Sequence, residues 1–266
     1  MDIRSLGFRT DLALLRLSGS VVEDRGTYVA ARTPENPTFR WGNFDLLAAP
    51  PSAEEVPAVL ARYDADLPDG DFRTLGVDGR ADQSDALAPL VAVGLALDPG
   101  TVLTATTTHA PPRPNAEVRL RRLTSDDDWA QRAALSIAVD ADDPDGDGPA
   151  YRLFAERRAL SNRALCEAGH ATWWGAFLGD RLVSAMGLVD AGDGLARFQS
   201  VETHPDHRGR GIAGTLVHRV AAHGFDEVGA RTLVMVADPD YGAIRVYRSV
   251  GFRDTEVQTQ LDQRAR

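Results

Sequence analysis

The feature that most constrains this chain is a strand that runs through a glycine-rich turn directly into a helix. Residues 195–203 alternate as a strand, and the turn holds Gly209, Gly211 and Gly214. The helix that follows has apolar residues at Ile212, Leu216, Val217, Val220 and Ala221 and closes near Gly224. Without a Cβ at the glycines, the backbone approaches a large anion closely, and the unpaired N–H groups and dipole of the helix start favour negative charge there. A pyrophosphate is the expected guest. The run Gly209-Arg210-Gly211-Ile212-Ala213-Gly214 formally reads G-x-G-x-x-G, yet two features separate it from a dinucleotide loop. The strand before it continues a meander, and no strand-terminal acid follows about 20 residues later to hold a ribose. Asp226 and Glu227 stand ahead of the next strand instead.

The elements around this junction define the fold class. Residues 117–123 alternate as a strand, and Ser125, followed by acidic residues, is an N-cap signal for a helix over 129–139. A second helix is expected over 151–167. Strands over 171–178, 181–189 and 195–203, joined by Gly- and Asp-rich turns, read as an antiparallel meander. After the loop and its helix come a buried strand at 232–236, a helix at 241–250 and a last strand at 252–261. A meander combined with a strand-helix-strand crossover gives a mixed sheet and an α/β (α+β) class.

The segment His204-Pro205-Asp206-His207-Arg208-Gly209-Arg210-Gly211-Ile212-Ala213 resembles the coenzyme-binding signature of the GNAT acetyltransferase superfamily, [RQ]-x-x-G-x-[GA]. A second stretch, Asp240 to Phe252, is similar to that family's N-x-x-A-x-x-x-Y-x-x-x-G-F, with Asp240 in place of the first Asn and with Ala243, Tyr247, Gly251 and Phe252 in register. The resemblance implies a GNAT-like mixed central sheet flanked by helices and acetyl-CoA as co-substrate. Backbone groups of Val201 and Thr203 would hold the pantetheine arm between splayed strands, and Arg208, Gly209, Arg210, Gly211, Ile212, Ala213 and Gly214 would hold the pyrophosphate, with Asp240 as a further coenzyme contact. An amine would then attack the thioester directly in a ternary complex. Tyr247 is similar to the family tyrosine that protonates the leaving thiolate. Glu202, between the two pantetheine positions, is the candidate base that frees the amine, since an alkylammonium of pKa about 10.4 must lose a proton before it attacks. A solvent-facing strand residue is its plain alternative. Two other readings stay open: a non-catalytic acetyl-CoA-binding regulatory module, or a transferase of a longer acyl group.

Composition narrows the partners. The 266 residues hold 39 acidic and 29 basic side chains, a formal net charge of −10, so nucleic acid is not an expected partner. The negative field would favour a cationic amine, although surface charge also serves solubility. A small-molecule or peptide amine is the expected acceptor, with the protein a monomer or homodimer. All the basic residues are arginine, so no side-chain amine is present for self-acetylation or Schiff-base chemistry. No apolar run approaches the ~20 residues of a membrane span, and a cytoplasmic location is expected. The single Cys166 has no partner for an internal disulfide, and no Gly-x-Ser-x-Gly elbow is present. His204 and His207 read as capping residues near the turn, and no metal is expected. The run 143–148 imitates the start of a calcium loop, but Phe154 occupies the position that needs glutamate. It reads as a loop beside the acceptor entrance, which Tyr151, Trp173 and Trp174 could line; for the tryptophans a core role is the plainer reading.

The Pro- and Ala-rich stretch 107–115 reads as a linker, giving an N-terminal domain over 1–110, a linker at 111–116 and a catalytic domain over 117–266. At an offset of 157 residues the N-terminal half repeats the strand-helix-strand-helix-strand order: strand 39–48, helix 53–64, strand 72–77, then 86–95 over 243–252. The turn matching the pyrophosphate loop is Ala48-Ala49-Pro50-Pro51-Ser52-Ala53, where two prolines remove donors and no glycine is present, and Leu90 takes the place of Tyr247. This half is expected to be a degenerate, partial GNAT-like module, in the manner of tandem GNAT proteins. The aromatic segment 36–44 is either an acceptor-facing element or ordinary strand packing.

Overall fold

The computed structural model describes residues 1–36, 39–67, 72–144, 146, 148 and 151–264. The chain divides into two compact units. One comprises Met1–Leu103, Val236–Tyr241 and Asp254–Arg266; the other comprises Thr104–Met235 and Gly242–Arg253. This differs from the boundary read in the sequence: the stretch 104–115 packs with the second unit, and the last strand belongs to the first. Asp145 and Asp147 of the calcium-like run and Pro37 and Thr38 of the aromatic segment lie outside the described residues.

The second unit is built on strands β7 (Arg119–Arg122), β8 (Ala171–Leu178), β9 (Arg181–Gly192), β10 (Leu195–Thr203) and β11 (Thr232–Ala237), in the order β11-β10-β9-β8-β7. The β7 to β10 pairings are antiparallel and β10 to β11 is parallel, the mixed sheet that the element order implied. One cross-strand pair shows how sequence builds its core: Trp173 on β8 faces Gly187 on β9. A Cβ on Gly187 would lie 2.5 Å from the Trp173 ring, so the glycine leaves the room in which the indole lies flat on the sheet. Trp173 and Trp174 are both buried; they are core residues and do not line an open site.

Among the described residues, four α-helices accompany this sheet: α4 (Asp126–Ala141), α5 (Tyr151–Glu167), α6 (Ile212–Asp226) and α7 (Ile244–Arg248). Helix α4 starts as read, with Ser125 accepting from Asp128 N–H in a capping box. Arg121 grips the Asp128 carboxylate with both terminal nitrogens at 2.6 and 2.7 Å, which holds that carboxyl far below the usual range. Helix α7 is shorter than the expected 241–250. It ends where Gly251 turns left-handed at φ 108° and the Phe252 N–H bonds back to Tyr247 C=O at 3.2 Å.

In the first unit, α1 (Leu6–Leu17) and the hairpin β1 (Val21–Asp24) to β2 (Tyr28–Arg32) have no counterpart in the sequence reading. The strand expected over 39–48 is reduced to β3 (Phe44–Leu47), preceded by a 3-10 turn at Arg40–Gly42. Helix α2 (Val56–Asp66) connects β3 to its parallel neighbour β4 (Phe72–Val77), the same crossover that α6 makes between β10 and β11. Short α3 (Ala88–Ala92) follows, then β5 (Ala96–Leu97) and β6 (Gly100–Ala105). The unit is completed by β12 (Arg253–Arg264), antiparallel to β4 over Thr259–Arg264 and to β5 at Leu261 and Asp262. Among the described residues no helix is long and apolar enough to cross a membrane.

Candidate coenzyme and acceptor site

Helix α6 begins at Gly211, whose φ of 75° is left-handed, and Gly209 has φ 74°. These are conformations glycine adopts without strain. The first backbone bond of the helix runs from Thr215 N–H to Gly211 C=O at 3.1 Å, so the N–H groups of Ile212, Ala213 and Gly214 precede the helical ladder. The loop therefore presents these main-chain N–H groups at the head of the helix. A Cβ on Gly209 would meet nothing within 4 Å, whereas one on Gly211 would lie 2.2 Å from the Arg113 carbonyl oxygen, and one on Gly214 would lie 3.2 Å from Pro111. Two of the three glycines thus also admit the segment 111–115 against the loop. Asn115 fastens it: its N–H donates to Thr215 Oγ1 at 2.8 Å and its side-chain amide to Arg210 C=O at 3.0 Å. The stretch read as a linker is a buttress.

The neighbouring charges are paired. Arg208 Nη1 reaches Asp142 at 2.5 Å, with its Nε on the Thr203 carbonyl at 3.3 Å, and Arg210 pairs with Glu117 at 2.7 Å. His204 turns one ring nitrogen to Asp206 N–H and the other to Arg181 Nη2, the local role its position suggested. Burial, followed by Arg181 and Arg210, lowers the pKa of His207, which suits Nδ1 as acceptor from Arg210 at 3.2 Å. Among the described residues no group of three or more His, Cys, Asp or Glu could hold a metal ion.

Just ahead of the loop, the parallel ladder between β10 and β11 stops after Arg197 and Val234. Beyond it, β10 carries a register shift between Gln199 and Glu202 against β9, and Ser200 sits at φ 48°, an uncommon conformation for a non-glycine residue. Val201 and Thr203 lie on this released, bulged end of the strand, where their backbone groups have no ladder partner from β11. Thr203 Oγ1 is 2.9 Å from Ser184 Oγ.

Glu202 is neither solvent-facing nor free. Arg132 Nη1 donates to its Oε2 at 2.8 Å and Nη2 to its Oε1 at 3.3 Å, while Ser136 Oγ donates to Oε2 at 2.9 Å. Arg132 and Ser136 share one face of α4, a turn apart, and Arg132 is only 3% exposed. The sequence reading passed over both, although an arginine three residues after Trp129, on the stripe that continues through Ala133 and Ser136, was the available signal. Tyr151 and Arg158 on α5 complete the surroundings. Burial, and then Glu202, push the Tyr151 pKa up, and Arg158 Nη2 is 3.4 Å from Gln199 Oε1.

Tyr247 is buried, 6% exposed, on α7 within the same unit as the loop. Asp240 is exposed, takes part in a local turn with Asp238 and clusters with the first unit. Cys166 is not an activated nucleophile: burial pushes its thiol up to about 11. Alkylation at pH 7.5 is therefore expected to run on the order of a hundredfold slower than for an unperturbed thiol near 8.5. Rapid labelling followed by mass spectrometry would contradict that assignment.

In the first unit the turn ahead of α2 is closed by its own chain: the Glu55 carboxylate accepts the Ser52 N–H at 2.7 Å, a bond that lowers the Glu55 pKa. Leu90, at the position matching Tyr247, is fully buried in the apolar core.

Residues 135–252 match the model of the Acetyltransferase (GNAT) family, and the chain carries a GNAT domain over that stretch. Its fold is similar to that of a GCN5-related N-acetyltransferase from Kribbella flavida, at 19% identity over 97% of this chain and 96% of that one, TM-score 0.65. A tandem GNAT protein from the clavulanic acid biosynthesis pathway aligns at 16% identity over 97% and 88% of the two chains, TM-score 0.60. A functionally unknown conserved protein from Staphylococcus epidermidis aligns at 13% identity over 93% and 94%, TM-score 0.72. At these identities the likeness is one of fold. No curated protein matches the chain.

Proposed function

We propose that the second unit transfers an acetyl group from acetyl-CoA to a primary amine by direct attack in a ternary complex, and that the first unit is a degenerate support. The observation that carries this reading is the coincidence of the released end of β10 with the unladdered N–H groups at the start of α6. The residues fit the coenzyme: Gly209 and Gly211 shape a loop only glycine forms without strain, and the amides of Ile212, Ala213 and Gly214 are suited to the diphosphate. Val201 and Thr203 would pair with the pantetheine arm, and Arg208 and Arg210 would make outer contacts. When bound, acetyl-CoA supplies an acyl group activated as a thioester.

Glu202 would take the proton that an ammonium must lose. A carboxylate has about four acceptor sites, and Oε1, with its single long bond to Arg132, keeps room for a donor. Tyr247 would deliver a proton to the departing sulfur. The reading is tested by release of free thiol from acetyl-CoA in a panel of amines. Thiol release above the amine-free rate supports transfer; coenzyme binding without any release supports the regulatory alternative. Tyr247→Phe is expected to lower turnover by about 10²- to 10⁴-fold and leave the calorimetric affinity for acetyl-CoA unchanged. A loss of affinity equal to the loss of turnover would remove Tyr247 from proton delivery.

A further inference from the structure

One of the main-chain groups assigned to the pantetheine arm already has a partner. His204 N–H donates to Val183 C=O at 2.9 Å, and Ser184 Oγ donates to Glu202 C=O at 2.7 Å. Successive residues of a strand turn their main-chain groups to opposite sides. Thr203, which lies between these two and stands opposite Ser184 in the register, therefore turns its carbonyl away from β9. That is the side on which the ladder to β11 has stopped after Arg197 and Val234. Arg208 folds back over that side and donates from Nε to the Thr203 carbonyl at 3.3 Å.

The same guanidinium is held at its other end, where Nη1 donates to Asp142 Oδ2 at 2.5 Å. Asp142 is the C-cap of α4, and the last turn of that helix carries no basic residue. A carboxylate there faces the negative end of the helix dipole, which is unfavourable unless a cation meets it. Arg208 is that cation. The two side chains are 40% and 46% exposed, and an ion pair so open to water is weak enough to exchange. A diphosphate offers the guanidinium fork more negative charge and more acceptor oxygens than one exposed carboxylate does.

Resting on the proposed transfer reaction, we infer that Arg208 is a latch: held by Asp142, it covers the Thr203 carbonyl that the pantetheine amide needs, and it is drawn off onto the diphosphate as the coenzyme binds. Asp142 thus opposes coenzyme binding. Arg208 also sets specificity, because a thioester on the bare pantetheine arm carries nothing that draws the latch away. The site then selects the intact coenzyme over its arm.

The test uses the full-length chain and two ligands, acetyl-CoA and S-acetylpantetheine, the uncharged arm without its nucleotide. Acetyl-CoA is titrated calorimetrically, and S-acetylpantetheine is measured by its competition with acetyl-CoA. Asp142→Ala is expected to tighten S-acetylpantetheine about two- to fivefold, the range set by loss of an exposed ion pair, and Arg208→Met to do the same. Acetyl-CoA is expected to bind about two- to fivefold more tightly to Asp142→Ala. It should bind Arg208→Met more weakly than wild type, because that variant also loses the diphosphate contact. The uncharged ligand separates the latch from the removal of a nearby negative charge, which would tighten acetyl-CoA alone. S-acetylpantetheine affinity that is unchanged in either variant, or undetectable in all three proteins, overturns the inference. So does acetyl-CoA binding that Asp142→Ala leaves unchanged or that Arg208→Met tightens. In each of these cases acetyl-CoA binding and thiol release by wild type leave the transferase reading standing. Absence of acetyl-CoA binding by wild type overturns both.

Discussion

Gly211→Leu is expected to remove measurable acetyl-CoA binding and to destabilise the second unit. Two costs combine. The left-handed backbone at φ 75° disfavours any side chain by on the order of 1–3 kcal/mol. In addition, the new Cβ would stand 2.2 Å from the Arg113 carbonyl oxygen, a backbone atom that cannot swing aside as a side chain would. Either residues 111–115 lift away, losing the Asn115 bonds to Thr215 and Arg210, or the loop rotates and its amides lose their aim. Each hydrogen bond from a backbone amide to a charged group contributes about 1.5–3 kcal/mol, so misdirecting two lowers affinity by at least about a hundredfold. Gly209→Ala is the control. It has the same φ sign and open space around the added Cβ, so it should show the conformational cost alone. Calorimetric titration and thermal unfolding separate the two variants; unchanged coenzyme affinity in folded Gly211→Leu would falsify the assignment of the loop.

Arg132→Met is expected to cost about 3–5 kcal/mol of stability. The side chain is 3% exposed and its partner Glu202 is 17% exposed, so removing the guanidinium leaves a carboxylate largely shielded from water, with Ser136 still donating to it. The double variant Arg132→Met with Glu202→Met is expected to recover most of the loss, because replacing both ends of a buried pair by apolar groups is often close to neutral. Chemical denaturation of the four proteins in this cycle gives the coupling energy directly. A double variant as unstable as the sum of the two single ones would mean that Arg132 and Glu202 stabilise the unit through separate contacts.

The legible parts of this protein were those governed by short-range rules. The start of α4 at Ser125 and the extents of α5, β8 and β10 follow from capping groups, periodicity and turn residues that act within a few positions. The glycine turn and the helix start at residues 208–214 were readable for the same reason: both are local properties. Helix α1 and the β1–β2 hairpin were missed although their signals were local: Ser5 caps the helix, and Asp24 with the left-handed Gly26 makes the hairpin turn.

Partnership across long separations was not legible. Glu202 reads as an open strand carboxylate until Arg132, 70 residues earlier, is folded onto it. Residues 107–115 read as a linker because Pro and Ala describe a segment without regular structure, not whether that segment is packed. Strand β12 has the same alternating sequence whichever sheet it joins, and only its backbone bonds to β4 and β5 assign it to the first unit.

The sequence by itself determined that this chain holds a glycine-rich turn between a strand and a helix, and that the matching turn in the other half has two prolines and no glycine. Tertiary structure alone decided which charges meet at the bulge of β10 and what lies against the loop. The reason is physical: dihedral preference and amide supply are set by neighbours in the chain, whereas ion pairing and close packing are set by groups that become neighbours only on folding.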